Sequence, residues 1–473
     1  MQSTKNINIT SSYFSKSTNL STFLMSFLNT SKFRKVYSDV RSIYLRSDVI
    51  RLLVFSKFLE NKSVRSLGNS DLSSVLDCGK DVYYSVKNCI NTNWRRIMWN
   101  HAMDCISRME PVDMNSKVAH QIPCLVADDS DIPKRGKFFE MVGKIFSHTG
   151  HNYKMGFKSL NLCYWTGRTT INLDFSLHIE KRKDGKQGLT KKEIEQRYRK
   201  ERAKDSHGSK RLMESMTKKT KSLIKMLMRA INKGVEAKYL LVDSWFFNQE
   251  LVKYISETKL ELITRPKKNN WKYEHNARSY TIGQLLNKYK NHRKRKWSRK
   301  LKMYYTKIHI EFQGHELSLY FYKPKKRGSK WQILISTKKH LDAIKAYEIY
   351  KNRWSIEVTY KELKQQFNYG KCQSRDFVGQ ISDHTICLMA YNFLSTYKCV
   401  NEYESIGMLF EQIKQEWIRP TIMEKFWKII IKIAEAISVI FNLELDVVMD
   451  KAINEDDYFS YFNLNQLLLT TET

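Results

Sequence analysis

"YKNRWSIEVTYKELK", residues 350–364, sets Tyr350, Arg353, Glu357 and Lys364 at a fixed spacing: tyrosine, two residues, arginine, three residues, glutamate, six residues, lysine. The stretch has neither Gly nor Pro, and large apolar residues recur at Ile349, Ile356, Tyr360, Leu363 and Phe367. Those three- to four-residue steps predict one helix with a single buried stripe. At roughly 100° per residue from Tyr350, Arg353 falls near ~300°, Glu357 near ~340° and Lys364 near ~320°, beside an apolar stripe at roughly 220° to 280°. The four polar side chains then line the rim of the buried face. A carboxylate between a guanidinium, an ammonium and a phenol suits a metal-bound phosphodiester, the carboxylate holding metal and its neighbours holding phosphate oxygens. Taken alone, the spacing also fits a solvated face with an Arg353–Glu357 pair at i, i+4, worth only a few tenths of a kcal/mol. The rest of the chain decides between the two.

The 473 residues carry 82 Lys+Arg against 48 Asp+Glu, a net charge of +34. So large an excess argues against an enzyme of small neutral metabolites and calls for a polyanionic partner, nucleic acid first and an anionic membrane surface second. The most apolar run, "IIIKIAEAISVIF" at 429–441, is too short to span a bilayer and is interrupted by Lys432 and Glu435, which weakens the membrane option. The opening "MQSTKNINITSSYFSK" lacks the layout of a signal peptide, so a cytoplasmic location is expected. Eight cysteines are scattered without a C-x-x-C pair; neither a zinc site nor a disulfide framework is expected.

Along the chain, residues 1–115 read as a helical region, and "SKFLENKSVRSLGNSDLSSVL" (56–76) has the form of a helix-turn-helix or of an ordinary helical bundle with a polar turn. It is the expected DNA-end-binding domain. From Ile122 the texture turns to strands: "IPCLVADDS" ends in two aspartates, and "GFKSLNLCYWTG" and "TTINLDFSLHI" meet at Gly167–Arg168. A highly charged connector follows, then one helix from Lys210 to about Asn232, then "AKYLLVDSW" as a strand with Asp243 at its carboxyl end. Residues 267–338 read as a β insertion, and the chain from 396 to 473 as a helical C-terminal region suited to dimerisation. The expected fold class is α/β, a mixed sheet with helical regions at both ends.

Three carboxylates stand out in this order: Asp129 or its neighbour Asp128 at the end of the first strand, Asp243 at the end of the fourth, and Glu357 on the late helix. If the first and fourth strands are parallel neighbours, both aspartates open onto the crevice at the strands' carboxyl ends. Such an oxygen-rich set suits Mg²⁺ or Mn²⁺, and two ions about 4 Å apart serve in-line phosphoryl transfer.

With "VADDS", "LLVDSW" and the Tyr350, Arg353, Glu357, Lys364 spacing together, the chain resembles the DDE transposases of bacterial insertion sequences, in the group written here as the IS-four type. The resemblance covers about residues 120–395 and implies a ribonuclease-H-like catalytic core. It implies that Asp129, Asp243 and Glu357 ligate two Mg²⁺ or Mn²⁺ ions and that Tyr350, Arg353 and Lys364 bind backbone phosphates. Asp129 is preferred over Asp128 because the family's acid usually precedes a small residue, as Asp129 precedes Ser130; Asp128 stays open. The insertion carries "KYKNHRKRKWSRKLK", basic residues including Arg295 around Trp297, a composition suited to tracking a nucleic-acid backbone with base stacking. Some relatives stack a flipped base on an inserted-domain tryptophan, which makes Trp297 and Trp331 candidates. The implied partners are transposon-end and target DNA and a second copy of the chain in a synaptic homodimer, within a bacterial cytoplasm at the nucleoid. The alternatives are a ribonuclease-H-fold nuclease and a domesticated, non-catalytic DNA-binding protein.

Overall fold

The computed structural model describes residues 44–413 apart from 59–62, 70–77, 110–112, 137, 148–149, 181–188, 191, 194–199, 268, 291–294, 326–327 and 402–404, and beyond these residues 433–441 and 444. The N-terminal part contains helices α1 (Arg46–Phe55), α2 (Val64–Gly68), α3 (Lys80–Lys87) and α4 (Trp94–Ser107). Ser63 starts the five-residue α2 by accepting from the backbone N–H of Ser66 at 3.0 Å, an N-cap bond. Most of the remaining helix-turn-helix candidate, and residues 1–43, lie outside the described residues.

Four strands come next: β1 (Cys124–Pro133), β2 (Gly143–Ser147), β3 (Asn152–Trp165) and β4 (Thr170–His178). The β3–β4 hairpin turns at Gly167, whose φ of +92 is a backbone conformation that glycine adopts without steric cost. The single helix expected from Lys210 is two, α5 (His207–Ser215) and α6 (Lys219–Asn232), parted at Met216–Lys218. Ser206 caps the first of them, and the Thr217 hydroxyl hydrogen-bonds backward to the carbonyl of Glu214 at 2.8 Å, an alternative to continuing the helical ladder.

Then follow β5 (Tyr239–Val242), α7 (Gln249–Ser256), β6 (Glu261–Thr264), β7 (Tyr273–His275), β8 (Arg278–Tyr280), α8 (Ile282–Tyr289), β9 (Lys296–Ser298), β10 (Met303–Phe312), β11 (His315–Pro324) and β12 (Gln332–Ser336). One twelve-stranded sheet holds them all, in the order β2-β3-β1-β5-β6-β12-β11-β10-β7-β8, with β4 on β3 and β9 on β10. β1, β5 and β6 are parallel neighbours. β12 joins β6 antiparallel through Ile335–Thr264 and Ser336–Ile263, so the strands of the β insertion prolong the central sheet.

Helices α9 (Ala343–Lys351), α10 (Trp354–Gln366) and α11 (Phe377–Val400) follow, and residues 406–413 and 433–441 are also helical. All residues from Phe377 to Tyr397 are buried, polar ones such as Gln380, Asp383, His384 and Asn392 included. α11 packs against β4 and α4. One buried ion cluster fastens helices to the sheet and a second fastens helices to one another. Asp174 of β4 accepts from Arg95 at 3.1 Å, Arg229 at 2.7 Å and the Trp99 indole at 3.2 Å. Asp383 of α11 accepts from Lys57 at 3.1 Å and Lys87 at 2.9 Å. Residues Met1–Phe410 form one compact unit and Glu411–Thr473 another. Among the described residues no helix is long and apolar enough to cross a membrane, and Cys89, Cys105, Cys124, Cys163, Cys372 and Cys387 are thiols outside any disulfide.

Candidate active site

The signature stretch folds as two helices, not the one helix expected. α9 ends at Lys351, α10 begins at Trp354, and Asn352 and Arg353 make a tight turn between them. Within that turn the backbone bonds shorten to i, i+3: Arg353 N–H to the Tyr350 carbonyl at 3.1 Å, Ser355 N–H to that of Asn352 at 3.0 Å. The Asn352 amide meanwhile donates to the Ala119 carbonyl at 3.2 Å. A buried polar side chain with an outside partner offsets the loss of regular helix. Tyr350 consequently stands on the helix before the turn, its ring centre 5.9 Å from the Arg353 guanidinium. It is buried, and its hydroxyl donates to the Val242 carbonyl at 3.3 Å. Burial pushes its pKa up to about 12, so it braces the end of β5 as a protonated phenol.

Arg353, Glu357, Tyr360 and Lys364 do share one face of α10, and that face lies on β1. Tyr360 donates to the Asp128 carbonyl at 2.8 Å, and the Lys364 ammonium to the Ser130 hydroxyl at 2.7 Å. The guanidinium of Arg353 bridges two carboxylates, Glu357 at 2.6 Å and Asp128 at 3.4 Å.

Strand geometry places the aspartates. β1 and β5 pair in parallel up to Ala127–Val242, so Asp128 and Asp243 each stand one residue past the last pair, side by side at the carboxyl end of β5; β1 itself runs on to Pro133 against β3, so its aspartates lie within the strand and not at the end expected for them. In-register residues of parallel strands project to one face, and successive residues to opposite faces. Asp128 and Ser130 therefore face α10, whereas Asp129 and Asp131 face away. The ion pairs agree: Asp129 meets the ammonium of Lys219, the first residue of α6, at 2.5 Å, and Asp131 meets that of Lys158 at 2.5 Å. The preference for Asp129 rested on the small residue after it. The alternation of the strand instead brings Asp128 to the face that holds Arg353 and Glu357.

Electrostatics separate the two aspartates further. Burial, reinforced by the neighbouring charges of Asp129 and Asp243, pushes the Asp128 carboxyl up to about 7 against the pull of the Asp129 backbone N–H and Arg353. Burial also acts on Asp129, but Lys219, with Lys158 and His178 beyond it, outweighs burial and holds that carboxyl below its ordinary value. Asp243 accepts from the Ser244 N–H at 2.7 Å and caps the short turn Ser244–Phe246.

Among the described residues, no three carboxylate, imidazole or thiol groups form a ready-made metal cage. The chemistry of the donors nonetheless suits a hard divalent cation. Asp128, Asp243 and Glu357 offer oxygen atoms only, and the elevated pKa of Asp128 marks a carboxylate short of positive charge.

The insertion residues have their neighbours within the insertion or its flanking strands. Trp297 packs on Tyr304 with ring centres 4.7 Å apart, the Arg295 guanidinium lies 5.6 Å from the Tyr304 ring, and Lys323 lies 5.9 Å from that of Trp331. These contacts do not bring the three to the carboxylates. Sequence reasoning did not single out Ser130, Lys219 or the Tyr360 hydroxyl, and only Ser130 carried a signal, its even offset from Asp128 in an alternating strand.

A family model described as the transposase DDE domain matches residues 120–393, more than half of the chain. The chain belongs to that family. The match runs from just before β1 into α11, so the carboxylate-bearing strands and the α9–α10 turn of this transposase domain all lie inside it. A transposase domain acts on DNA, the polyanion that a net charge of +34 demands. No curated protein matches the chain.

Proposed function

We propose that the chain is a DNA transposase of the IS-four type with a ribonuclease-H-like core. It binds the inverted-repeat ends of its element, cleaves at them and joins the freed 3′-OH to target DNA. One observation carries the proposal: Asp128 and Asp243 stand side by side, each one residue past the last parallel pair of β1 and β5, beneath the helix face that presents Arg353 and Glu357.

Asp128, Asp243 and Glu357 would hold Mg²⁺ or Mn²⁺, two ions in the full site, which supplies an activated oxygen nucleophile and charge relief at the leaving oxygen. Cleavage is a displacement at phosphorus in which a water oxygen bonds to the phosphate and the bond to the 3′ oxygen breaks. The products are a 3′-OH and a 5′-phosphate. In strand transfer that 3′-OH attacks a target phosphodiester in the same way, releasing a target 3′-OH. Arg353, held over the carboxylates by its bridge, and Lys364, whose ammonium burial pulls below its ordinary pKa, are placed to hold non-bridging phosphate oxygens. Tyr350 acts indirectly by fixing the Val242 carbonyl just before Asp243. The C-terminal region would carry the homodimer contact of a synaptic complex, in a bacterial cytoplasm.

The test is divalent-dependent cleavage of duplexes carrying the element's terminal repeats, with Asp128→Asn, Asp243→Asn and Glu357→Gln beside wild type. Each substitution is expected to lower cleavage at least a hundredfold by analogy with the loss of a preorganised charge-stabilising group. Variants that cleave at the wild-type rate would remove the assignment.

A further inference from the structure

Lys219 and Trp245 occupy the carboxyl edge of the sheet on the side that Arg353 and Glu357 do not use. The Lys219 ammonium that pairs with Asp129 also lies 4.4 Å from the centre of the Trp245 ring. Trp245 stands in the short turn immediately after Asp243, and 48% of its surface is open to solvent. An indole serving only packing would be buried far more completely. Its ring meets the buried Phe246 nearly at right angles, with centres 4.9 Å apart, so it is fixed in orientation although exposed.

Lys218 and Thr220, on either side of Lys219, line an open groove of about 590 Å³ with Gln249, Trp271, Lys272 and one carboxylate, Glu250. Trp271 repeats the arrangement, with the Lys267 ammonium 5.0 Å from its ring. Two indole–ammonium pairs, Trp245 with Lys219 beside the groove and Trp271 with Lys267 on its wall, suit a single nucleic-acid strand, whose bases stack on the rings while its phosphates meet the lysines. A fully paired duplex offers no free base face. Trp245 lies two residues from Asp243, so their Cα atoms are at most ~7.6 Å apart, about two nucleotide steps of 3.4 Å.

We propose, resting on the transposase function above, that Trp245 and Lys219 bind an unpaired nucleotide of the DNA strand next to the cleaved phosphate. The groove beyond Lys218 leads that strand away from the carboxylates. The cleft thus has two walls, one for the reacting phosphate under α10 and one for the displaced strand beside α6.

The probes are an oligothymidylate single strand and a blunt duplex of equal length, titrated by fluorescence anisotropy into chelator-treated full-length protein. Trp245→Ala is expected to weaken single-strand binding about tenfold, the scale of one lost base–aromatic stack, and to leave duplex binding within about twofold. Trp245→Phe keeps a π face and should retain most of the affinity. With 2-aminopurine at the terminal unpaired position of a tailed duplex, wild type and Trp245→Phe should quench its emission and Trp245→Ala should not. Equal single-strand affinity in wild type and Trp245→Ala, or equal losses for both probes, overturns the proposal. Cleavage of terminal-repeat duplexes by wild type is scored separately. A cleaving enzyme indifferent to Trp245→Ala loses the platform and keeps the transposase assignment; a non-cleaving protein that needs Trp245 for single strands does the reverse.

Discussion

Replacing Asp128 with Asn should stabilise the metal-free protein at neutral pH, whereas replacing its neighbour Asp129 should destabilise it. The Asp128 carboxyl moves from an ordinary value of 3.8 to about 7 on folding. The folded state therefore holds its proton more tightly than the unfolded state across that interval, and stability falls as pH rises from about 4 to about 7. Such a displacement corresponds to about 4 kcal/mol at most, present as a penalty above pH 7 and absent below pH 4. Asp128→Asn removes the titration and gives up only the 3.4 Å contact with Arg353, so it should gain on the order of 2–3 kcal/mol at pH 8 in chelator and little at pH 4.5.

Asp129→Asn leaves the Lys219 ammonium without its carboxylate in a partly buried site. It should lose about 3 kcal/mol, the lower end for a broken buried pair, because both side chains keep some solvent access. Urea unfolding of wild type and both variants at the two pH values, with chelator, reads the two signs. Excess Mg²⁺ or Mn²⁺ at pH 8 should then raise wild-type stability by about 2.7 kcal/mol at a hundredfold excess over Kd, an effect retained in Asp129→Asn and lost in Asp128→Asn. Destabilisation by Asp128→Asn equal to that of Asp129→Asn, or a divalent response lost only with Asp129, would refute the assignment of the α10-facing carboxylate.

Further outcomes follow from individual contacts. Arg353→Ala and Lys364→Ala should each weaken binding to end duplexes and lower the slope of log affinity against log salt by about 1, read by anisotropy between low and moderate salt. Tyr350→Phe should leave that slope unchanged, because its hydroxyl is engaged with the Val242 carbonyl, and should cost about 1 kcal/mol in urea unfolding. Asp174→Asn should cost about 3–5 kcal/mol by leaving Arg95 and Arg229 in a buried site without their shared carboxylate; a loss under about 1 kcal/mol would mean that the cluster relaxes.

What was legible in the sequence was whatever depends on local pattern. The apolar run before Asp128, the β3–β4 turn, Asp243 at a strand end and Glu357 on a helix all follow from periodicity and turn chemistry, and each is found in the fold. The partner of each group was not legible, because partners come from distant elements. No local pattern around Asp174 marks the two arginines from α4 and α6 that converge on it. Nothing in residues 350–364 predicts the Ala119 carbonyl that takes the Asn352 amide, and without it the break between α9 and α10 has no cause.

The choice between the paired aspartates turns on the same distinction. A rule about the following residue treats Asp128 and Asp129 as interchangeable sites one step apart, whereas on a strand that step is a change of face. Only the register of β1 with β5, fixed by Ala127 beside Val242, says which face Asp243 shares. The residue so displaced is not idle. By facing away from Glu357, Asp129 anchors the Lys219 ammonium against the Trp245 ring, so under the proposed function two consecutive aspartates on one strand would serve opposite walls of the cleft. A substitution at either should consequently separate two functions that a sequence alignment would merge: loss of divalent response with Asp128, and loss of single-strand preference without loss of divalent response with Asp129.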